Sequence, residues 1–238
     1  MTSLTPVVTV VDNDASVRAQ LESLIRSAGW AARPFASAAE FLDCPRSLIP
    51  GCLVADIALP DLDGLELQRR VADRAELPII FMTRNFDIST TVRAMKAGAF
   101  EFMTKPFRED AMLSALGAGI EHSRAALGRE TELHSLYERY RSLSCRERQV
   151  MALVVQGRMN KVIAAELGIS EITVKAHRGK VMLKMRVRSV AELVIIAARF
   201  DTNVQLPIIA SALRVGGRNV DTKVLSNTSN RFGLLPLM

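Results

Sequence analysis

The chain has 238 residues, 49% apolar and 24% charged, an ordinary globular composition long enough for one large or two modest domains. Its three cysteines, Cys44, Cys52 and Cys145, lack the spacing of a zinc site or a disulfide framework, and its apolar runs fall far short of the ~20 residues that cross a bilayer, so a cytoplasmic protein without a membrane partner is expected. The net charge of +6 is uneven: residues 1–120 carry 12 Lys/Arg against 15 Asp/Glu, whereas residues 141–200 carry 12 against 4. A module that neutralises phosphates would have that balance, but so would a solvated basic face, and the motifs must decide between them.

Residues 1–120 alternate short β-branched runs with helical stretches, the pattern of a parallel sheet covered on both faces. Strands are expected at Val7–Val11, Ala31–Phe35, Cys52–Asp56, Ile79–Thr83 and Phe100–Thr104, with helices near 15–27, 38–43, 64–74, 88–97 and from 109 onward. Five such units make a doubly wound α/β domain. Its last helix should continue through 121–142 as a linker, with Ala126, Leu133 and Tyr140 recurring at sevens and Leu136 adding a second seam position. From 143 to 200 four short helices are expected, Arg146–Gln156, Lys161–Leu167, Glu171–Lys184 and Val190–Arg199, forming an all-α bundle. Ser144 and Glu147 have the spacing of a capping box, and Ser170 can cap the third helix. Residues 201–238 lack periodicity and read as a disordered tail.

In a parallel sheet, residues closing the strands converge on one crevice. Asp12, Asp56, Thr83 and Lys105 close or follow the first, third, fourth and fifth strands. Two carboxylates, a hydroxyl and an ammonium suit phosphoryl transfer to a carboxylate: acids hold a divalent cation, one carboxylate attacks, and hydroxyl and lysine hold product oxygens. The segments VVDNDASVR, LVADIALPDLDGLEL, IIFMT and RAMKAGAFEFMTKPF resemble the receiver domain of two-component response regulators. That resemblance implies a sheet ordered 2-1-3-4-5, with Asp56 as phosphoacceptor and Asp12 in a magnesium pocket. It also implies Thr83 and Phe102 as switch residues, Lys105 as the phosphate-binding lysine before a commonly cis Pro106, and Pro60 and Gly64 in the loop after the phosphoacceptor.

Two residues depart from the receiver pattern. Asn13 replaces a second acid, which should weaken Mg2+ binding by Asp12, Asn13 and Asp56, and Arg84 replaces a very small residue beside Thr83. Together they predict an atypical pocket in which Arg84 and Lys105 hold Asp56 as a built-in cation, making phosphorylation slow or dispensable.

In LSCRERQVMALVVQGRMNKVIAAELGISEITVKAHRGKVMLKMRVRSVAELV, a helix, a turn through Gly168 and a second helix follow one another. Val174, Val181 and Met185 should face the core, leaving Lys175, Arg178, Gly179 and Met182 on the opposite side, as a helix entering the major groove requires. The stretch resembles the LuxR-type helix-turn-helix, and the whole resembles the NarL/FixJ family of response regulators. The resemblance implies base and phosphate contacts from Lys175 and Ala176, backbone contacts from Asn160, Lys161 and Arg178, and dimerisation through Val190, Leu193, Val194 and Ala197. Gly179 removes one possible base contact and weakens the helix by roughly 1 kcal/mol relative to Ala.

The expected function is sequence-specific DNA binding in transcription regulation, not enzymatic turnover, with double-stranded DNA, a sensor histidine kinase, RNA polymerase and a second copy of the chain as partners. The alternative is a phosphorylation-independent interaction receiver without specific DNA readout.

Overall fold

The computed structural model describes residues 4–85 and 87–203. The tail expected from 201 onward lies outside the described residues beyond Asn203, where the last helix ends. Two compact units divide the chain, Met1–Leu133 and His134–Met238.

The first unit holds a five-stranded parallel sheet, β1 (Val7–Val11), β2 (Ala31–Phe35), β3 (Gly51–Asp56), β4 (Ile79–Thr83) and β5 (Glu101–Thr104), in the order β2-β1-β3-β4-β5. The intervening helices are α1 (Ala15–Ser27), α2 (Ala38–Leu42), α3 (Gly64–Arg70) and α4 (Ile88–Lys96), and α5 (Glu109–Arg141) follows β5. The central strand β3 is buried throughout because both its faces are covered. Its alternation sorts two cores: Cys52 and Val54 join Leu21 and Ile25 of α1 and Met112 and Leu116 of α5. Leu53 and Ala55 point the other way, toward Phe41 of α2 and Leu65 and Leu67 of α3. Burial pushes the Cys52 thiol up to about 12, so it serves only as packing.

Gly64 is the tightest point after β3. A Cβ there would stand 2.9 Å from the Ile57 Cα, and no positive φ is involved, so close approach rather than turn geometry requires glycine.

The linker segment is continuous with α5, and its seam is spent on local packing. Ala126 is buried, and Leu136 with Tyr137 and Tyr140 packs against the core of the second unit. That core is enclosed by α6 (Cys145–Val155), α7 (Asn160–Leu167), α8 (Glu171–Met185) and α9 (Val190–Asn203). Ser144 accepts the Glu147 N–H while the Glu147 carboxylate accepts the Ser144 N–H, completing the capping box. The same buried carboxylate receives Lys184 of α8 at 2.7 Å, and this ammonium holds its pKa below the ordinary carboxylate value. Gly168 ends α7 at φ 64°, a left-handed conformation that glycine adopts without cost, and Ser170 then caps α8 by accepting the Thr173 N–H.

Candidate functional site

The carboxyl ends of β1, β3, β4 and β5 bring Asp12, Asp56, Thr83 and Lys105 together. The Lys105 Nζ donates to Asp12 Oδ2 and to Asp56 Oδ2, each at 2.5 Å. Asp12 is 0% and Asp56 6% exposed, so both charges sit out of water and one ammonium bridges them. Each remaining oxygen accepts an amide two residues on, Asp14 N–H for Asp12 and Ala58 N–H for Asp56, both at 2.9 Å. The carboxylates are thereby oriented by their own loops. Arg18, which sequence patterns did not single out, braces the first loop by donating to the Asp12 carbonyl at 2.7 Å.

The Thr83 hydroxyl donates to the Asn85 carbonyl at 2.9 Å, so it is engaged by its own loop. Phe102 is half-buried, with its ring 6.4 Å from that of Phe81, and the Lys105–Pro106 peptide is cis.

The expectation that Arg84 joins Lys105 in holding Asp56 is corrected. Arg84 pairs instead with Asp14, the N-cap of α1. The Ser16 hydroxyl and amide, with a smaller contribution from Arg84, hold the Asp14 carboxyl at about 2. Arg84 is a long, mostly exposed side chain, and the carboxylate it reaches lies at the rim; the buried position against Asp56 is already filled by Lys105.

The chemistry of the donors at the crevice fits a hard divalent cation. Two carboxylates converge, Asn13 stands exposed beside them, and Mg2+ accepts a few carboxylate oxygens while retaining water. Among the described residues there is no cluster of three or more His, Cys, Asp or Glu side chains arranged for a metal.

In the second unit, α8 buries Val174, Val181 and Met185 as its spacing predicts. The opposite face differs in detail. Met182 packs against the core, and Arg178 is half-buried with its Nη1 donating to Asn160 Oδ1 at 2.5 Å. The open face comprises Ile172, Lys175, Ala176, Gly179, Lys180 and Leu183, of which Ile172, Lys180 and Leu183 were not marked by the sequence. Lys161 is exposed at the start of α7. The His177 ring is half-buried, with its Nδ1 buried and unbonded.

The apolar stripe of α9 splits. Leu193 and Ala197 lie in the bundle's own core beside Phe200, whose ring meets that of Tyr140 at 5.3 Å. They are therefore not available to a second copy, and Val190 is only half-buried against the same core. The exposed apolar side is Val194 and Ile195.

A sheet with this crevice and a helical bundle with an exposed basic helix define a phosphorylatable receiver joined to a DNA-binding output domain. The family models agree: the response regulator receiver domain matches residues 8–117, and the luxR family of bacterial regulatory proteins matches residues 141–197. Response regulator protein TmoT of Ectopseudomonas mendocina is 42% identical over 200 residues, 84% of this chain and 91% of its own length. Nodulation protein W of Bradyrhizobium diazoefficiens is 46% identical over 189 residues, 79% of this chain and 83% of its own. The solved response regulator StyR superposes with a TM-score of 0.74 at 45% identity, covering 82% of this chain and 100% of that one. The chain belongs to the NarL/FixJ-type family of two-component response regulators with a LuxR-type DNA-binding domain. Both matched families are regulatory rather than enzymatic. Among the described residues no helix is long and apolar enough to cross a membrane.

Proposed function

We propose that this protein is a sequence-specific regulator of transcription whose DNA affinity is set by phosphorylation of Asp56. The observation that carries this reading is the Lys105 bridge between Asp12 and Asp56. In that state the buried acids are balanced by one cation, and a phosphoryl group on Asp56 would change the charge that Lys105 must meet. Asp56 is the carboxylate that attacks phosphorus as the bond to the donor breaks, and Lys105 then transfers its hydrogen bond to a phosphoryl oxygen. Thr83 would leave the Asn85 carbonyl for the same group, vacating space beside Phe102. Asp12, Asn13 and Asp56 would hold Mg2+, which supplies positive charge against the incoming phosphoryl oxygens. The amide of Asn13 lacks a carboxylate's charge and should lower that affinity. A sensor histidine kinase is the expected phosphodonor.

On α8, Lys175 and Ala176 meet base edges, with Lys161 and Lys180 on phosphates and Arg178 and Asn160 fixing α8 against α7. A homodimer on DNA would use the Val194 and Ile195 side of α9, and RNA polymerase is the expected downstream partner.

Labelling with a small acyl phosphate, followed by footprinting, tests the reading. Asp56→Asn should abolish labelling, and labelling of the parent should raise DNA affinity. Lys175→Ala should cost roughly 1–3 kcal/mol at the specific site while leaving non-specific binding nearly unchanged. A Lys175→Ala protein that footprints like the parent, or an Asp56→Asn protein that labels normally, would refute it.

A further inference from the structure

Beside β2 and α2 the first unit contains a cavity of 330 Å³ whose lining includes none of Asp12, Asp56, Thr83 and Lys105. Its walls combine Phe35 of β2, Phe41 of α2, Ile49 and Leu77 with three guanidinium groups, those of Arg33, Arg46 and Arg74. Arg46 is already committed, with Nε 2.6 Å from Glu76 and Nη2 2.9 Å from Glu130 of α5. Among the described residues, Arg33 and Arg74 have no carboxylate within ion-pair distance. Aromatic faces hold both of them instead, and Arg33 spends one Nη2 hydrogen on the weak acceptor Cys44 Sγ at 3.4 Å. The Arg33 Cζ lies 5.4 Å from the Phe35 centroid and the Arg74 Cζ 5.8 Å from that of Phe41, while the two rings meet edge-on at 5.9 Å. Stacking positions a guanidinium and leaves its N–H fork free for an anion.

We infer that this cavity binds a small organic carboxylate with a flat apolar body, the carboxylate meeting Arg33 and Arg74 and the body lying along Ile49 and Leu77. The volume is at the lower end of small-molecule sites and suits a ligand of about a dozen non-hydrogen atoms. An apolar floor without the two cations would take any hydrophobe, and the cations alone would take any anion; their combination selects for both properties. Arg46 joins the cavity wall to α5 through Glu130, so an occupant sits one ion pair from the helix that leads into the output domain.

The test is calorimetric titration of the full chain with 2-naphthoate, beside neutral 2-naphthylmethanol and apolar-free citrate. Saturable binding of 2-naphthoate is expected, at least about tenfold tighter than either comparison compound. Arg33→Gln and Arg74→Gln should each weaken it about tenfold, whereas Arg69→Gln, on the exposed surface of α3, should not. A readout on the unaltered protein comes from Cys44, whose Sγ accepts from Arg33 at 3.4 Å on the cavity wall. Saturating 2-naphthoate should slow iodoacetamide modification of Cys44 several-fold, measured by peptide mass, and leave Cys145 unaffected. Absent or non-saturating binding, equal binding of all three compounds, or parental affinity in both arginine variants would overturn the assignment. So would an unchanged Cys44 rate at saturation.

Discussion

Replacing Leu193 by alanine separates the two uses to which the α9 stripe could be put. The side chain is 1% exposed within a core that includes Val150, Met151, Val181 and Phe200, whereas Val194, its neighbour, is 41% exposed. Removing a leucine side chain from such a site forfeits about 2–3 kcal/mol of transfer free energy and leaves a cavity, for a total of about 3–4 kcal/mol. At about 4–8 °C per kcal/mol in a domain of this size, the second unit should melt at least ~12 °C lower. Val194→Ala should change stability by no more than about 0.5 kcal/mol. The single tryptophan, Trp30, packs in the first unit, so its fluorescence reports that unit while far-ultraviolet circular dichroism reports both. Leu193→Ala should therefore split the two signals, with early loss of helix and an unchanged tryptophan transition. Ile195→Asp should instead keep parental stability and lose the second copy on DNA, read by light scattering of the complex. A Leu193→Ala protein with the parental melting profile and impaired dimerisation would refute the burial argument.

Arg84→Ala should leave Asp56 labelling by an acyl phosphate within about twofold, because its partner is Asp14; Asn13→Asp should lower the Mg2+ concentration needed for half-maximal labelling. A large rate increase from Arg84→Ala alone would restore the rejected pairing with Asp56. Gly64→Ala should cost about 1–3 kcal/mol by chemical denaturation, since its Cβ would press on the Ile57 backbone and the Asp56 carbonyl; an unchanged midpoint would contradict the close approach. Glu147 has a folded pKa below its ordinary 4.5, so its contribution is complete above that value and is lost as pH falls through the folded value. Stability of the second unit should accordingly decline on acidification below 4.5, and Glu147→Gln should flatten that part of the profile; equal slopes in the two proteins would count against the Lys184 pairing.

Sequence alone determined the elements and the crevice, because both follow from local pattern and from one topological rule. Short β-branched apolar runs locate the strands, and parallel pairing brings Asp12, Asp56, Thr83 and Lys105 to the same edge. The chemistry of those four side chains then narrowed what the edge could do. Tertiary structure decided which partner each long side chain reached and which apolar seam met which core. Arg84 follows Thr83 in sequence, yet its flexible stem carries the charge to Asp14 at the rim, since Lys105 fills the interior position. Leu193 and Ala197 have the spacing of an interface stripe, but helical spacing defines only a face, and the packing of α6 and α8 turns that face inward. Met182 and Arg178 moved off the open side of α8 for the same reason, one into the core and the other onto Asn160. The cavity beneath Arg33 and Arg74 had no sequence signal at all, because its walls come from segments scattered between residues 7 and 77 that only the folded sheet brings together.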